Sequence, residues 1–589
     1  MRTIKNTNVY IFFISCLLSL VSCLSSSSLQ AQTWQWGKSG GTTDSFNTLE
    51  EQVKSACTDI YGNVYIVSDV GSTNSQVDGV PKQNYNSGFG LRDGIIASFS
   101  CNGTYRWSKV IGGGLLDFVN CIQSDALGNV YVLGQVVRGG TTPTDIPVHF
   151  DTDLTLPSSP SNIDENKQTV FILKYNNEGV FQWLRMPEPT NVSSSLTISN
   201  TNTQDLQVDA QGNSYSLCHL PVGVYGNGTY AVTVSGFNIL KYDANGAFLG
   251  GVPIDIQYGN PRVAARMRRN HQTGDYYIAG QAYQSVFASD RVTINGQIQT
   301  KALFITAFTS SGTFLWKREN ANPDVYGGNV PGIAIDPENN VYMCGITGPV
   351  IVGSTFTPDS FNGSAIGTST TSPIPFIVKM DANGNNLWLT SGTKSRPMDL
   401  ILHGDEVVTC GAITNMTWQN LSFLSPTLSQ HAYIARFNKN TGTILSINTL
   451  GTNSSDLGNA LATDSKGNYY LGGKFSATMT AGASTLVKSG GDEDFFIAKF
   501  GSTDCNFLAA NEFEKNSLQG YPNPVQSTLQ LNNTESSSYV LYDVLGARVQ
   551  TGEVAPQGSI NLSTLASGMY VLQLQTQTGK TKVMKLVKE

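Results

Sequence analysis

The sequence predicts an all-β protein: a ring of repeated small sheets followed by a compact C-terminal β-sandwich. Two observations carry that prediction. The 589 residues include 59 Gly and 10% aromatics but only 13% charged side chains, and no long stretch has the apolar period of a helix. That is the balance of many short strands and turns. A pattern roughly seventy residues long also recurs along the whole body, the mark of a repeat architecture.

A Trp or its substitute opens each repeat at Trp36, Trp107, Trp183, Leu249, Trp316, Trp388 and Leu445. An Asp-x-x-Gly-Asn-x-Tyr turn follows, led by Asp59, Asp125, Asp209 and Asp464. Degenerate copies lie at Gly274-Asp275, at Asp336-Pro337-Glu338-Asn339-Asn340 and at Gly404-Asp405. Between turns, a Phe-Ile-x-Lys-Tyr strand leads through a Gly to the next Trp, as from Phe171 to Trp183 and from Phe376 to Trp388. The final copy, 495–500, lacks its following Trp, and Trp36 lacks its preceding strand. The two complete each other if the last strand joins the sheet begun by the first, which removes the open edge of a linear array. Residues 32–505 therefore read as a seven-bladed β-propeller, with six or eight blades as alternatives if one unit is mis-phased.

This repeat resembles the bacterial secreted seven-bladed propeller repeat, the SBBP type, over essentially the whole body. The units around Leu249, Arg266 and Leu402 depart from it, lacking the Trp or the turn Asp, so irregular blades are expected there.

Both ends read as addresses. Arg2 and Lys5 precede an apolar run from Val9 to Leu24 and then Leu29-Gln30-Ala31-Gln32, the three-part form of a secretory signal peptide cleaved between Ala31 and Gln32. Leu20-Val21-Ser22-Cys23 offers a lipoprotein box as the alternative. At the other end, Pro522, Asn523 and Pro524 precede Tyr542, Asp543 and Gly546, then Gly568 and Tyr570, then a basic-apolar final strand with Lys585 and Lys588 expected on the surface. Alternation with a period of two makes this stretch a small β-sandwich, expected to be Ig-like. The tail, residues 517–589 after a linker at 506–516, resembles the type A C-terminal sorting domain of the type IX secretion system of Bacteroidetes. That resemblance implies export through the periplasm and outer membrane with the secretion machinery as partner. It further implies removal of the tail by cleavage within 507–517, and release or attachment to surface lipopolysaccharide.

No later segment is long and apolar enough to span a bilayer. Without residues 1–31 the chain has 34 basic and 43 acidic residues, a net charge of −9, which argues against nucleic acid as partner.

Candidate chemistry is sparse. His149, His219, His271, His403 and His431 are scattered without metal-ligand spacing, and no nucleophile-elbow or phosphate-loop motif occurs. Asp59, Asp125, Asp209, Asp336 and Asp464 are expected to accept bonds from turn amides, with the Gly-Asn pair at positive φ in both positions. Each turn supplies one carboxylate where calcium takes about six to eight oxygens. Trp36, Trp107, Trp183, Trp316 and Trp388 are expected to fill space between blades. No cofactor is expected; calcium at Asp151 and Asp153, in the insertion 135–168, is weighed against a solvated loop. Arg262, Arg266, Arg268 and Arg269 form the basic cluster, read as a solvated outer strand or a face for an acidic glycan. Cys218, Cys344 and Cys410 read as buried, and Cys101 with Cys121, or Cys57 with Cys505, as candidate bridges. Polar insertions near 69–92, 135–168, 218–235, 281–300, 347–374 and 412–430 are where recognition of an extracellular glycan or protein is expected. The leading expectation is a non-enzymatic adhesion, binding or scaffold module. The alternatives are a glycan- or peptide-degrading enzyme, marked by a convergent acidic or His pair at the propeller channel, and a structural component of the envelope or motility surface.

Overall fold

The computed structural model describes residues 32–43, 51–71, 74–86, 91–114, 116–137, 147–156, 168–187, 202–257, 263–282, 291–323, 331–352, 355–367, 374–505, 520–533, 535–543, 547–576 and 581–589. The expected signal peptide with Ala31, the linker 506–516, Gly546 and Arg262 lie outside them. Among the described residues every regular element is a strand, and no helix is long and apolar enough to cross a membrane. The chain divides into two compact units, Met1–Phe507 and Leu508–Glu589.

In the first unit the main antiparallel sheets of the described residues are two of six strands, three of four and one of eight, and the four-stranded repeats within them are numbered here as sheets by their first strands. These are Ser55–Thr58, Phe118–Ser124, Asn202–Val208, Val263–Arg269, Gly332–Ile335, the second half of Asn386–His403, and Leu457–Thr463. Each first strand adjoins the next, and Leu457–Thr463 adjoins Ser55–Thr58, so the first strands close a ring of the β-propeller type. Sheet 7 takes its fourth strand, Thr33–Gly41, from the start of the chain, paired antiparallel with Asp494–Gly501. Second strands such as Val64–Val70 and Tyr276–Ala282 are buried at every residue, because both of their faces pack on other sheets. Val67 and Ile96 of sheet 1 thus share a core with Val132 and Leu173 of sheet 2.

The turn motif explains itself. Asp59 Oδ1 accepts the backbone N–H of Tyr61 and Asn63, and its Oδ2 accepts the Asn63 side-chain amide and the Tyr65 hydroxyl. The same four bonds recur at Asp125, Asp209 and Asp464. Only the glycine, Gly62 at φ 74°, is left-handed; Asn63 is not, which corrects the expectation for the pair. The Asn is there for its side-chain amide. At Asp336 the left-handed position falls to Asn339 (φ 66°), and Asn340 and Tyr342 still donate to the carboxylate.

Five Trp residues latch their sheets to the following one. The indole N–H groups of Trp36, Trp107, Trp183, Trp316 and Trp388 donate to the carbonyls of Cys101, Asn177, Ala244, Ala382 and Lys439. Each ring lies on a left-handed glycine of that turn, so close that a Cβ on Gly179 would sit 2.7 Å from Trp107. The pairing also corrects two assignments. Where Lys379 faces Trp388, Lys241 faces Gly250 and Arg436 faces Ser446. Leu249 and Leu445 are therefore one position early, and both side chains are exposed.

The polar insertions hold a second, repeated clasp. Hairpins between second and third strands carry Asp78, Asp151, Asn295 and Asn362 at φ 47–51°. Their backbone N–H groups donate to the carbonyls of Ser39, Val110, Asp255 and Glu319, at the outer edge of the preceding sheet. Asp78, Asn295 and Asn362 are each followed by Gly, as suits such turns, and Asp151 by Thr152.

The second unit has a three-stranded sheet (Gly520–Tyr521, Thr528–Leu531, Ser559–Asn561) and a four-stranded one (Arg548–Val554, Ser537–Asp543, Gly568–Thr576, Thr581–Lys588). Leu529, Leu531 and Ile560 of the first pack with Leu541, Leu572 and Leu586 of the second. Asn523 fastens the terminal strand: its amide donates to the Lys585 carbonyl and its Oδ1 accepts the Val587 N–H, both at 2.9 Å. Asp543 accepts the Ala547 N–H, and the Tyr570 hydroxyl donates to the Ala566 carbonyl. Lys585 is exposed, whereas Lys588, expected on the surface, is buried.

Candidate functional site: the central channel

The ring of first strands encloses a cavity of about 690 Å³ lined by Lys54, Asn120, Gln204, Asp205, Arg266 and Asp399 among others. Bulges shift the pairing of four first strands, at 119/121, 203/205, 397/399 and 458/460. An extra residue in one strand re-aims its side chains. Two of the skipped residues, Asn120 and Gln204, line the cavity.

Arg266 and Arg268 line this cavity, on a first strand and not on an outer one. Arg266 pairs with Asp399, reaching past sheet 5, where a Cβ on Gly332 would meet the Leu400 nitrogen at 2.7 Å. Arg268 pairs with Asp205 at 3.0 Å. Asp205 also accepts the N–H of Leu206 and Met267, and Asp399 that of Leu400 and Leu461. Burial works against the Arg266 charge, but Asp399 and Asp205 outweigh it and hold its pKa above the usual value. Both carboxylates are thus fully engaged. Arg269 stacks on Tyr215, 4.2 Å from the ring centre.

Other polar groups on the wall stitch neighbouring sheets. Ser124 donates to the Thr58 carbonyl, Thr58 to the Thr463 carbonyl, and Asn120 to the Thr203 hydroxyl, at 2.6–2.7 Å. Lys54 ion-pairs with Asp69 at 2.6 Å and donates to Asn120.

Three of the remaining candidates, Asp151, Asp153 and His149, have partners within the fold. Asp151 Oδ2 accepts the Val110 N–H, as part of the rim clasp, and Asp153 ion-pairs with Lys109 at 2.9 Å. His149 stacks on Tyr85, ring centres 4.3 Å apart. No group of three metal-ligating side chains occurs among the described residues. Cys101 is bonded to Cys505, neither of the two expected pairings; Cys57, Cys121, Cys218, Cys344 and Cys410 are free and buried. The bridge ties the end of sheet 7 to the turn of sheet 1 that receives Trp36.

Sequence reasoning missed a second set of buried acids, Glu51, Asp117 and Asp456. Each precedes a first strand and accepts backbone N–H groups from the loops beside it: Thr42 and Gly71, Gly113 and Val137, Thr452 and Ser476. Their signal was a fixed spacing, each standing eight residues before Asp59, Asp125 or Asp464.

Residues 519–589 match the family model of the secretion system C-terminal sorting domain. A type IX sorting domain makes the secretion machinery a partner of the chain and places it outside the cell or at the cell surface. No curated protein matches the sequence. Solved structures similar to the chain include the quinohemoprotein alcohol dehydrogenase of Comamonas testosteroni (11% identity, 81% of this chain and 77% of that one, TM-score 0.33). A Dyadobacter fermentans protein of unknown function (10%, 79% and 98%, 0.34) and the V. cholerae biofilm matrix protein Bap1 (10%, 80% and 91%, 0.27) are also similar. At such TM-scores these likenesses carry no functional argument.

Proposed function

We propose that the chain is a secreted seven-bladed propeller of the SBBP-repeat type, carried out of the cell by an Ig-like terminal sorting domain, and that it binds an extracellular ligand without transforming it. One observation carries this reading: among the described residues, the two acids lining the channel, Asp205 and Asp399, are each held by an arginine and two backbone amides. A general acid–base pair needs carboxyls free to exchange protons. What the channel offers is a polar wall of amide, hydroxyl and ammonium groups at Asn120, Gln204, Thr203 and Lys54, suited to hydrogen-bonding a hydroxyl- or amide-rich ligand such as a glycan. Export begins with the signal peptide ahead of Gln32, and the sorting domain completes it.

The test is a binding screen of the mature protein against glycans and envelope proteins, compared with a Lys54→Ala/Asn120→Ala variant. Saturable binding lost in the variant is expected. A ligand recovered chemically cleaved would overturn the reading. For the export half, deletion of 517–589 is expected to strand the protein in the periplasm, and its appearance outside the cell would contradict that.

A further inference from the structure

Three consecutive seams of the ring carry the same pair of buried side chains. Between sheets 7 and 1, Asp494, which opens a third strand, faces Glu51, which precedes the next first strand. Between sheets 1 and 2, the Asp117 N–H donates to the Arg92 carbonyl beside Asp93, and between sheets 6 and 7 the Asp456 N–H donates to the Gln430 carbonyl beside His431, which puts each pair in the corresponding place. All six are buried. Each pair closes over a glycine that leaves no room for a side chain. A Cβ on Gly41 would lie 2.5 Å from Glu51 Oε2 and 2.7 Å from Asp494 Oδ1. On Gly112 it would lie 2.1 Å from Asp93 Oδ1, and on Gly451 2.1 Å from His431 Nδ1.

The two acid–acid seams are unbalanced. Glu51 and Asp117 have donors at both oxygens. Asp494 Oδ2 accepts the Ser489 N–H and Asp93 Oδ2 those of Tyr85 and Asn86, but Oδ1 of each is buried without a hydrogen-bond partner. Two ionised carboxylates so placed repel in a medium that solvates neither, and one bound proton relieves both defects. In the third seam an imidazole holds the corresponding place.

We propose that the Asp494–Glu51 and Asp93–Asp117 pairs each hold one shared proton, and that its loss loosens the two seams flanking sheet 1, so that ring closure is tight in acidic to neutral surroundings and relaxes in alkaline ones. The other charges nearby are few. Lys488 lies beside Asp494, and Asp69 lies beside Asp93 but is itself paired with Lys54 and Arg92. Burial pushes the Glu51 carboxyl up to about 8 and those of Asp494 and Asp93 to about 6, and raises that of Asp117. Folded pKa values raised in this way contribute stability that is complete below the unfolded carboxyl value and is lost as the pH climbs through the folded ones.

Asp494→Asn/Asp93→Asn is the informative variant, because an amide nitrogen at each unpartnered position donates to the facing acid with no proton required. In the full mature chain, the wild-type thermal midpoint is expected to fall between about pH 5 and pH 9, with the opening constant at the amides of Thr42, Gly71, Gly113 and Val137 rising about tenfold per pH unit. The variant is expected to show neither trend. Equal slopes in the two proteins overturn the proposal. So does a calcium-induced rise of the wild-type midpoint at about pH 9 that the variant lacks, since a cation would then occupy the seam. A second readout does not depend on the variant's folding: the wild-type protein at neutral pH shows the infrared band of a protonated carboxyl, and its absence overturns the proposal.

Discussion

The indole N–H of Trp107 donates to the backbone carbonyl of Asn177, 3.0 Å away in the next sheet, while the indole ring covers Gly179 of the same turn. A bond of this kind makes a sheet dependent on its neighbour, and it recurs at five seams of the ring.

Trp107 is half-buried, so Trp107→Ala is expected to destabilise the protein by less than the ~3–5 kcal/mol that emptying a fully buried aromatic site costs. Trp107→Phe keeps most of the packing and is expected to cost less, about 0.5–1.5 kcal/mol for one hydrogen bond, since Arg106 and Tyr65 still donate to the Asn177 carbonyl. Urea unfolding of both variants checks the order, and a neutral Trp107→Ala would remove the latch from the account.

The turn aspartates predict acid sensitivity. Burial works against ionisation of Asp209 and Asp336, but the donors of Asn213 and Tyr215, and of Asn340 and Tyr342, win and hold both pKa values below the usual one. Their stabilisation is therefore present above the unfolded carboxyl value of about 4 and is lost as the pH falls through the folded value. Asp209→Asn is expected to flatten the decline of the thermal midpoint on the acid side of about pH 4, and an unchanged acid slope would count against these bonds.

Much of this architecture was legible because it is written once per repeat. Asp59, Asn63 and Tyr65 recur as a set since Asn63 and Tyr65 complete the bonds of one Asp59 carboxylate, and Trp recurs as the latch of five seams. Three features were not legible. Gly250 and Ser446 stand at the Trp register, but the apolar Leu249 and Leu445 beside them look like the better substitutes. The rim clasp depends on single residues at positive φ inside insertions of unequal length, so no fixed period reveals Asp151 as the counterpart of Asp78. Arg266 and Arg268 look like a solvated stripe until the ring places them opposite Asp399 and Asp205, far away in sequence.

In the sorting domain, Asn523→Ala removes both bonds that fasten the last strand. Lower stability of the domain by about 1–3 kcal/mol is expected, with a smaller exported fraction. Quantifying the protein in the medium and in the periplasm checks this, and undiminished export would separate the motif from strand docking.

Cys505→Ser cuts the link from sheet 7 to sheet 1 and is expected to cost about 2–4 kcal/mol, with the loss seen equally on adding reductant to the wild-type protein. Calorimetry with and without reductant measures it, and a variant as stable as the oxidised wild type would mean that the other clasps suffice.

Closure of the ring is the central claim, and peptide mapping of the exported protein without reduction tests it most directly. Cys101 and Cys505 are 404 residues apart in sequence and meet only if the last sheet lies against the first. The account predicts one cross-linked peptide joining them, with Cys57, Cys121, Cys218, Cys344 and Cys410 recovered as thiols. A Cys101–Cys121 or Cys57–Cys505 peptide in its place would contradict it.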